Sequence, residues 1–155
     1  MENKLQTTRK QSGLTILPKE LSQVIETGEI FKADLTPMKS FSCNKMSSFV
    51  KDHKENLYKA IELLVCKLAL SVNVKFNIEP EQASDIARGI YKTYYFYSIE
   101  EVALILRKGS EGEMGKIFDR LSKDMIMGWF RLYDERERSS FVENNLFLYK
   151  SRIST

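Results

Sequence analysis

From Tyr94 to Arg138 the chain reads YYFYSIEEVALILRKGSEGEMGKIFDRLSKDMIMGWFRLYDERER, and this stretch decides the fold class. Within it S-I-E-E, Ser98 to Glu101, is a capping box: the serine hydroxyl and the glutamate carboxylate each bond the other's backbone N–H, which starts a helix. Val102, Ala103 and Leu106 then mark the apolar side of a short helix that Gly109 is expected to end. After the loop G-S-E-G-E-M-G-K, the run K-I-F-D-R-L-S-K-D predicts one or two helical turns, with Ser122 as N-cap of a further helix. That helix carries Met125, Ile126, Trp129, Phe130 and Tyr133 inward. The opposite-charge pairs Arg131/Glu135 and Asp134/Arg138, each four apart, are expected on its wet face.

Upstream, Leu57, Ala60, Ile61, Leu64, Val65 and Leu68 recur at three- and four-residue spacing and predict a long helix over 52–72. Cys66, Ala69 and Leu70 widen its apolar arc, which points to a central position in the bundle. V-N-V-K-F-N-I-E-P-E alternates like a strand, but a single strand leaves its backbone groups unpaired, so it reads as an extended connector. Pro80 opens a helix whose buried side is Ala83, Ile86, Ala87, Ile90, Tyr91 and Tyr94. Gly89 inside it points to a close helix crossing.

Residues 1–53 read as a flexible arm rich in Ser, Thr, Lys and Asn, with a short amphipathic helix around Leu17, Leu21, Val24 and Ile25 and Gly28 at its C′ position. That helix either folds back on the body or docks on another protein; folding back is the ordinary outcome for an apolar stripe. Up to residue 60 the chain carries ten Lys or Arg against seven acids, an excess that fits a solvated tail or a phosphate-seeking arm. Residues 54–155 form the helical domain, so the expected architecture is all-α, a compact bundle of about five helices.

Several functions are argued against by what is missing. The glycine loop separates Gly109 from Gly115 by five residues, follows a helix, and has Ile117 where a Walker loop needs a hydroxyl. Glu111 and Glu113 would also repel phosphate. His53 is the only histidine, among charged neighbours, and no Cys/His cluster exists for zinc, so no catalytic, metal or cofactor site is expected. Two cysteines, Cys43 and Cys66, make no disulfide scaffold and point to a reducing cytoplasm. The apolar run around 63–74 is broken by Lys67, Ser71 and Asn73, which argues against a membrane span.

Two binding features remain. Arg107, Lys108, Lys116, Arg120 and Lys123 flank the glycine loop and could form one basic edge suited to nucleic-acid phosphates. The competing reading leaves Arg107 and Lys108 at a helix C-terminus and pairs Arg120 with Asp119 or Asp124. The tyrosines and phenylalanine at 94–97 are either an interhelical aromatic core or a stacking platform for single strands; without interleaved Lys or Arg the core is favoured. Beyond residue 140, Phe141, Val142, Leu146, Leu148 and Tyr149 make the C-terminal segment too apolar for a free tail. It packs back on the body or serves as a docking or homodimer surface, with Phe141, Val142, Leu146 and Tyr149 as its candidate contacts.

The pattern Y-Y-x-x-S-x-x-E, then G-E-M-G-K-I-F-D-R-L, then W-F-R-L-Y-D-E-R resembles small helical proteins carried by phages and mobile elements of gut Bacteroidetes. The positions that carry the resemblance are Tyr94, Tyr95, Ser98, Glu101, Gly112, Gly115, Lys116, Phe118, Asp119, Arg120, Trp129 and Tyr133, within residues 60–138. In coarse architecture the chain is also similar to phage helicase-loader and replisome-organiser proteins. The resemblance supplies a mobile-element context; together with the basic edge and the lack of a catalytic residue set, the leading expectation is a non-enzymatic, replication- or DNA-associated accessory protein. The alternative is a protein–protein adaptor or structural protein acting through the C-terminal segment.

Overall fold

The computed structural model describes residues 16–26 and 35–154, together with every side chain of those residues except Tyr149 and 151–154. The polar pieces of the arm within 1–15, and Gly28 expected after the first helix, lie outside the described residues. The fold is all-α. Its order is α1 (Lys19–Ile25), α2 (Pro37–Phe41), a 3-10 turn (Met46–Phe49), α3 (Val50–Ser71), α4 (Pro80–Tyr94), α5 (Ile99–Ser110), α6 (Lys123–Tyr133), a π turn (Asp134–Arg138) and α7 (Ser139–Ser154).

The apolar stripes of α3, α4 and α6 are buried where their spacing puts them: Leu57, Ala60, Ile61, Leu64, Val65 and Leu68, then Ala83, Ile86, Ala87, Ile90 and Tyr94, then Ile126, Trp129, Phe130 and Tyr133. α1 folds back on the body and buries Leu21 and Val24. Met46 and Phe49 of the 3-10 turn are buried as well, so the described parts of the N-terminal region are packed on the core. A backbone clamp holds them there, with Met46 N–H donating to the Tyr97 carbonyl at 2.8 Å and Ser47 N–H to the Tyr95 carbonyl at 3.0 Å.

Five expectations need correction. The centre of the bundle is α5, not α3. Every residue from Ile99 to Leu106 is buried, because α1, α2, α3 and α6 all pack around that helix. The long α3 instead leaves Leu70 87% exposed near its end. A helix apolar all round belongs inside, and V-A-L-I-L in α5 meets that description better than the one-sided stripe of α3.

α5 also does not stop at Gly109. It runs to Ser110 and closes at Gly112, whose φ of +84° suits glycine. Glu113 N–H donates to the Lys108 carbonyl at 3.0 Å and Gly112 N–H to that of Gly109 at 3.2 Å, the pair of bonds that makes a Schellman end. Gly109 serves packing instead: a Cβ there would stand 2.2 Å from Cε3 of Trp129, so the bare backbone is what lets α6 lay its indole on α5. Gly89, by contrast, faces only the flexible end of Lys123, so it marks no close helix crossing.

The segment after the glycine loop is not a helix. It pairs in parallel with the connector between α3 and α4 through an isolated bridge, Phe76 with Arg120. Phe76 N–H donates to the Asp119 carbonyl at 2.8 Å, and Leu121 N–H donates to the Phe76 carbonyl at 3.0 Å. The strand-like alternation of residues 72–78 therefore has a partner, supplied by a stretch with helical-looking composition. The fifth correction concerns Arg138, which is not on a wet face but buried at 5% exposure.

Candidate functional site

Glu101 completes the capping box in the structure, its Oε1 accepting from Ser98 N–H at 3.0 Å while Ser98 Oγ accepts from Glu101 N–H at 3.0 Å. The carboxylate is fully buried, and its second oxygen accepts from Arg138 Nε at 3.0 Å and from the Tyr133 hydroxyl at 3.0 Å. Arg138 donates further to the Phe96 carbonyl at 2.9 Å and lies over the rings of Tyr97, Phe41 and Phe96. The helical pitch alone would turn Arg138 toward Asp134 on the outer face. The π turn over Asp134–Arg138 inserts extra winding and carries the guanidinium inward.

This hub joins α2, α5 and the end of α6. Ser98 Oγ also donates to the Ser40 carbonyl at 2.6 Å. Burial pushes the Tyr133 phenol well above the ordinary tyrosine range, and the adjoining Glu101 carboxylate adds to the shift. Tyr97 moves the same way, chiefly through burial. Glu100 beside the hub is buried too, and desolvation raises its carboxyl above the usual value. Cys43 is pushed up to about 11 by burial and by Glu100, and its Sγ donates to the Lys39 carbonyl, so it is an inert thiol. A buried ion pair in which both Glu101 oxygens already accept hydrogen bonds acts as a fastening between elements. The capping-box spacing identified Glu101, but nothing in the sequence paired it with Arg138 rather than with a near neighbour.

The five cations of the expected basic edge do not share one environment. Lys108 Nζ is 3.2 Å from Glu113, whose carboxyl it holds below the usual range, and Lys123 Nζ is 3.1 Å from Asp85. Arg107 is half-buried and donates to the Leu35 carbonyl at 3.4 Å. Lys116 and Arg120 are exposed, without a carboxylate at ion-pair distance among the described residues. Arg120 shares a groove with Lys123, Phe76 and Ser122, while Lys116 lines a different groove with Asn73, Ser110 and Phe118.

The run of aromatics at 94–97 divides by position. Tyr94 and Tyr97 are buried and pack on Phe130, the Tyr94 ring at 4.9 Å, whereas Tyr95 and Phe96 are about half exposed. The core reading holds for two of them, and among the described residues the buried Tyr97 hydroxyl has no hydrogen-bond partner.

α7 presents the other candidate surface. Phe141 packs on Phe41 with centroids 5.4 Å apart, which anchors the start of the helix. Past that point Val142, Leu146, Phe147 and Leu148 are 45–67% exposed. Between α2 and α7 runs a groove of about 530 Å³ lined by Met38, Phe41, Lys45, Phe141 and Leu148 among others. The side chain of Tyr149, the fourth expected contact, lies outside what the structure describes.

Among the described residues no three His, Cys, Asp or Glu side chains gather as metal ligands, and no helix is long and apolar enough to cross a membrane. No protein-family model matches this chain, and no curated protein or solved structure matches it either, so the functional argument rests on its own residues.

Proposed function

We propose that this chain is a non-enzymatic interaction protein that self-associates through α7. One observation carries the reading: among the described residues Val142, Leu146, Phe147 and Leu148 expose apolar surface along a helix whose ring contact with the body is at Phe141, near its start. Leu146 and Phe147 lie on the outer side of that helix with Val142 beside Leu146, Leu148 turns to the groove with α2, and large apolar side chains left in water mark a docking surface. The occupant is a second copy, because the charge order of the helix is self-complementary. Glu143 lies before its midpoint, and Lys150 and Arg152 lie after it. Two copies laid antiparallel about the Leu146–Phe147 midpoint bring Glu143 of one beside Lys150 of the other, the arrangement a two-fold interface requires.

The competing reading, a replication-associated protein of a mobile element that grips phosphates with all five cations, has less support. Lys108 and Lys123 are already held by carboxylates and Arg107 by a carbonyl. Sedimentation equilibrium of the full chain tests the self-association. The intact protein should run as a dimer, and Leu146→Glu with Phe147→Glu should return it to a monomer with unchanged helical content. A monomeric parent chain at high micromolar concentration overturns the proposal.

A further inference from the structure

The bridge between the α3–α4 connector and the segment after the glycine loop carries a second surface, independent of α7. Phe118 is 76% exposed and Phe76 48% exposed, on two segments held together by the bonds around Phe76. Cations are interleaved with these rings. Arg120 Cζ lies 5.0 Å and Lys75 Nζ 5.4 Å from the centroid of Phe76, and exposed Lys116 sits two residues before Phe118. A groove opens on each side of the bridge, about 370 Å³ beside Lys116 and Phe118 and about 180 Å³ beside Phe76 and Arg120.

We propose that this basic-aromatic strip is a binding site for single-stranded nucleic acid. Among the described residues no aromatic ring stacks on Phe118 or Phe76, Arg120 and Lys75 lie over the Phe76 ring, and burying the strip against aliphatic side chains would strand those cations. An unpaired base offers a flat π-face to each ring, and its phosphates meet Lys75, Lys116 and Arg120, so one ligand satisfies both chemistries. A duplex cannot, because its bases are already stacked on one another and show the protein only edges and phosphates. The backbone hydrogen bonds at Phe76 fix the relative position of the two segments before any ligand arrives, which lowers the ordering cost of binding. Asp119 lies inside the strip with its carbonyl in the bridge, and Glu111 lines the groove beside Lys116 and Phe118, so the phosphates must run on the Lys75, Lys116 and Arg120 side of these acids. Lys123, held by Asp85, borders the site without adding an uncompensated charge.

The test is fluorescence anisotropy with the full chain at low salt, using labelled oligothymidylate, the same strand in duplex with oligoadenylate, and polyglutamate as a competitor. Oligothymidylate should bind with a salt-dependent affinity and more tightly than the duplex. Phe118→Ala should weaken it roughly 5- to 150-fold, the worth of one stacked base. Phe118→Leu should weaken it nearly as much, because an aliphatic side chain keeps the apolar area and loses the π-face. Arg120→Gln should lower both the affinity and the slope of its salt dependence. Both positions are exposed, so unchanged thermal unfolding is expected for each variant. The proposal is overturned by no binding to oligothymidylate, by equal binding to the duplex, by a Phe118→Leu variant that binds like the parent, or by polyglutamate displacing the strand at equal charge.

Discussion

α6 and α7 are two halves of one helical rod, joined through the π turn, and they meet opposite fates. Both are rich in large apolar residues. α6 buries Ile126, Trp129, Phe130 and Tyr133 against the bundle, whereas α7 leaves Val142, Leu146, Phe147 and Leu148 in water. The difference lies in what the rest of the chain supplies. α5 offers α6 a bare backbone at Gly109 and a carboxylate at Glu101; along the exposed half of α7 the described residues offer only the rim of one groove. Apolar composition states that a helix needs a partner. It does not state whether the partner is the same molecule.

Arg138 sits at the boundary between the two halves, so breaking it is the strongest way to test the contrast. Arg138→Ala leaves the Glu101 carboxylate buried without its cation and should cost about 3–5 kcal/mol in urea unfolding. A loss under about 1 kcal/mol would mean that the π turn is not held by this pair. Gly109→Ala forces the Trp129 ring to move and should cost about 1–3 kcal/mol. Gly112→Ala meets nothing within 4 Å, so its cost should come from the left-handed backbone alone, about 1–2 kcal/mol. If both glycine variants lose helix α6 together, the distinction between packing and backbone conformation fails.

Glu100 gives a smaller and pH-dependent effect. Burial raises its carboxyl pKa in the fold, so the folded state holds the proton more tightly than the unfolded state does. The charged form therefore costs stability above the folded pKa, and that cost fades as pH falls through it. Glu100→Gln should accordingly raise the unfolding midpoint at neutral pH and leave it unchanged near about pH 4, below the ordinary carboxyl value. Equal gains at both pH values would assign the effect to packing. The smallest expected change in stability is at the far end of the rod. In dilute protein, where parent and variant are both monomeric, Leu146→Glu should stay within about 0.5 kcal/mol of the parent, while at high concentration it alters the sedimentation mass.

Local rules were enough to read much of this fold. The Ser98 capping box, the Ser122 N-cap and the stripes of α3, α4 and α6 all depend on neighbours within a helical turn or two, and the structure has them where the spacing put them. The end of α5 is not legible locally, because Gly109 and Gly112 look alike in a sequence. Only the indole of Trp129, twenty positions on, gives the first a packing role and leaves the second to turn the chain. The segment 116–121 has helical composition, yet its backbone bonds go to Phe76, about forty residues away. Of the five cations, the sequence could place each near the loop but could not say that Asp85, on another helix, would take Lys123.

Composition and periodicity alone determined that this is a helical protein with a surplus of apolar surface, since both follow from interactions between near neighbours on a helix. Tertiary structure decided which helix became the centre, where Arg138 points, and which aromatics stay in water. Those outcomes depend on groups distant in sequence competing for the same interior space and the same hydrogen bonds, and no local pattern records the result of that competition.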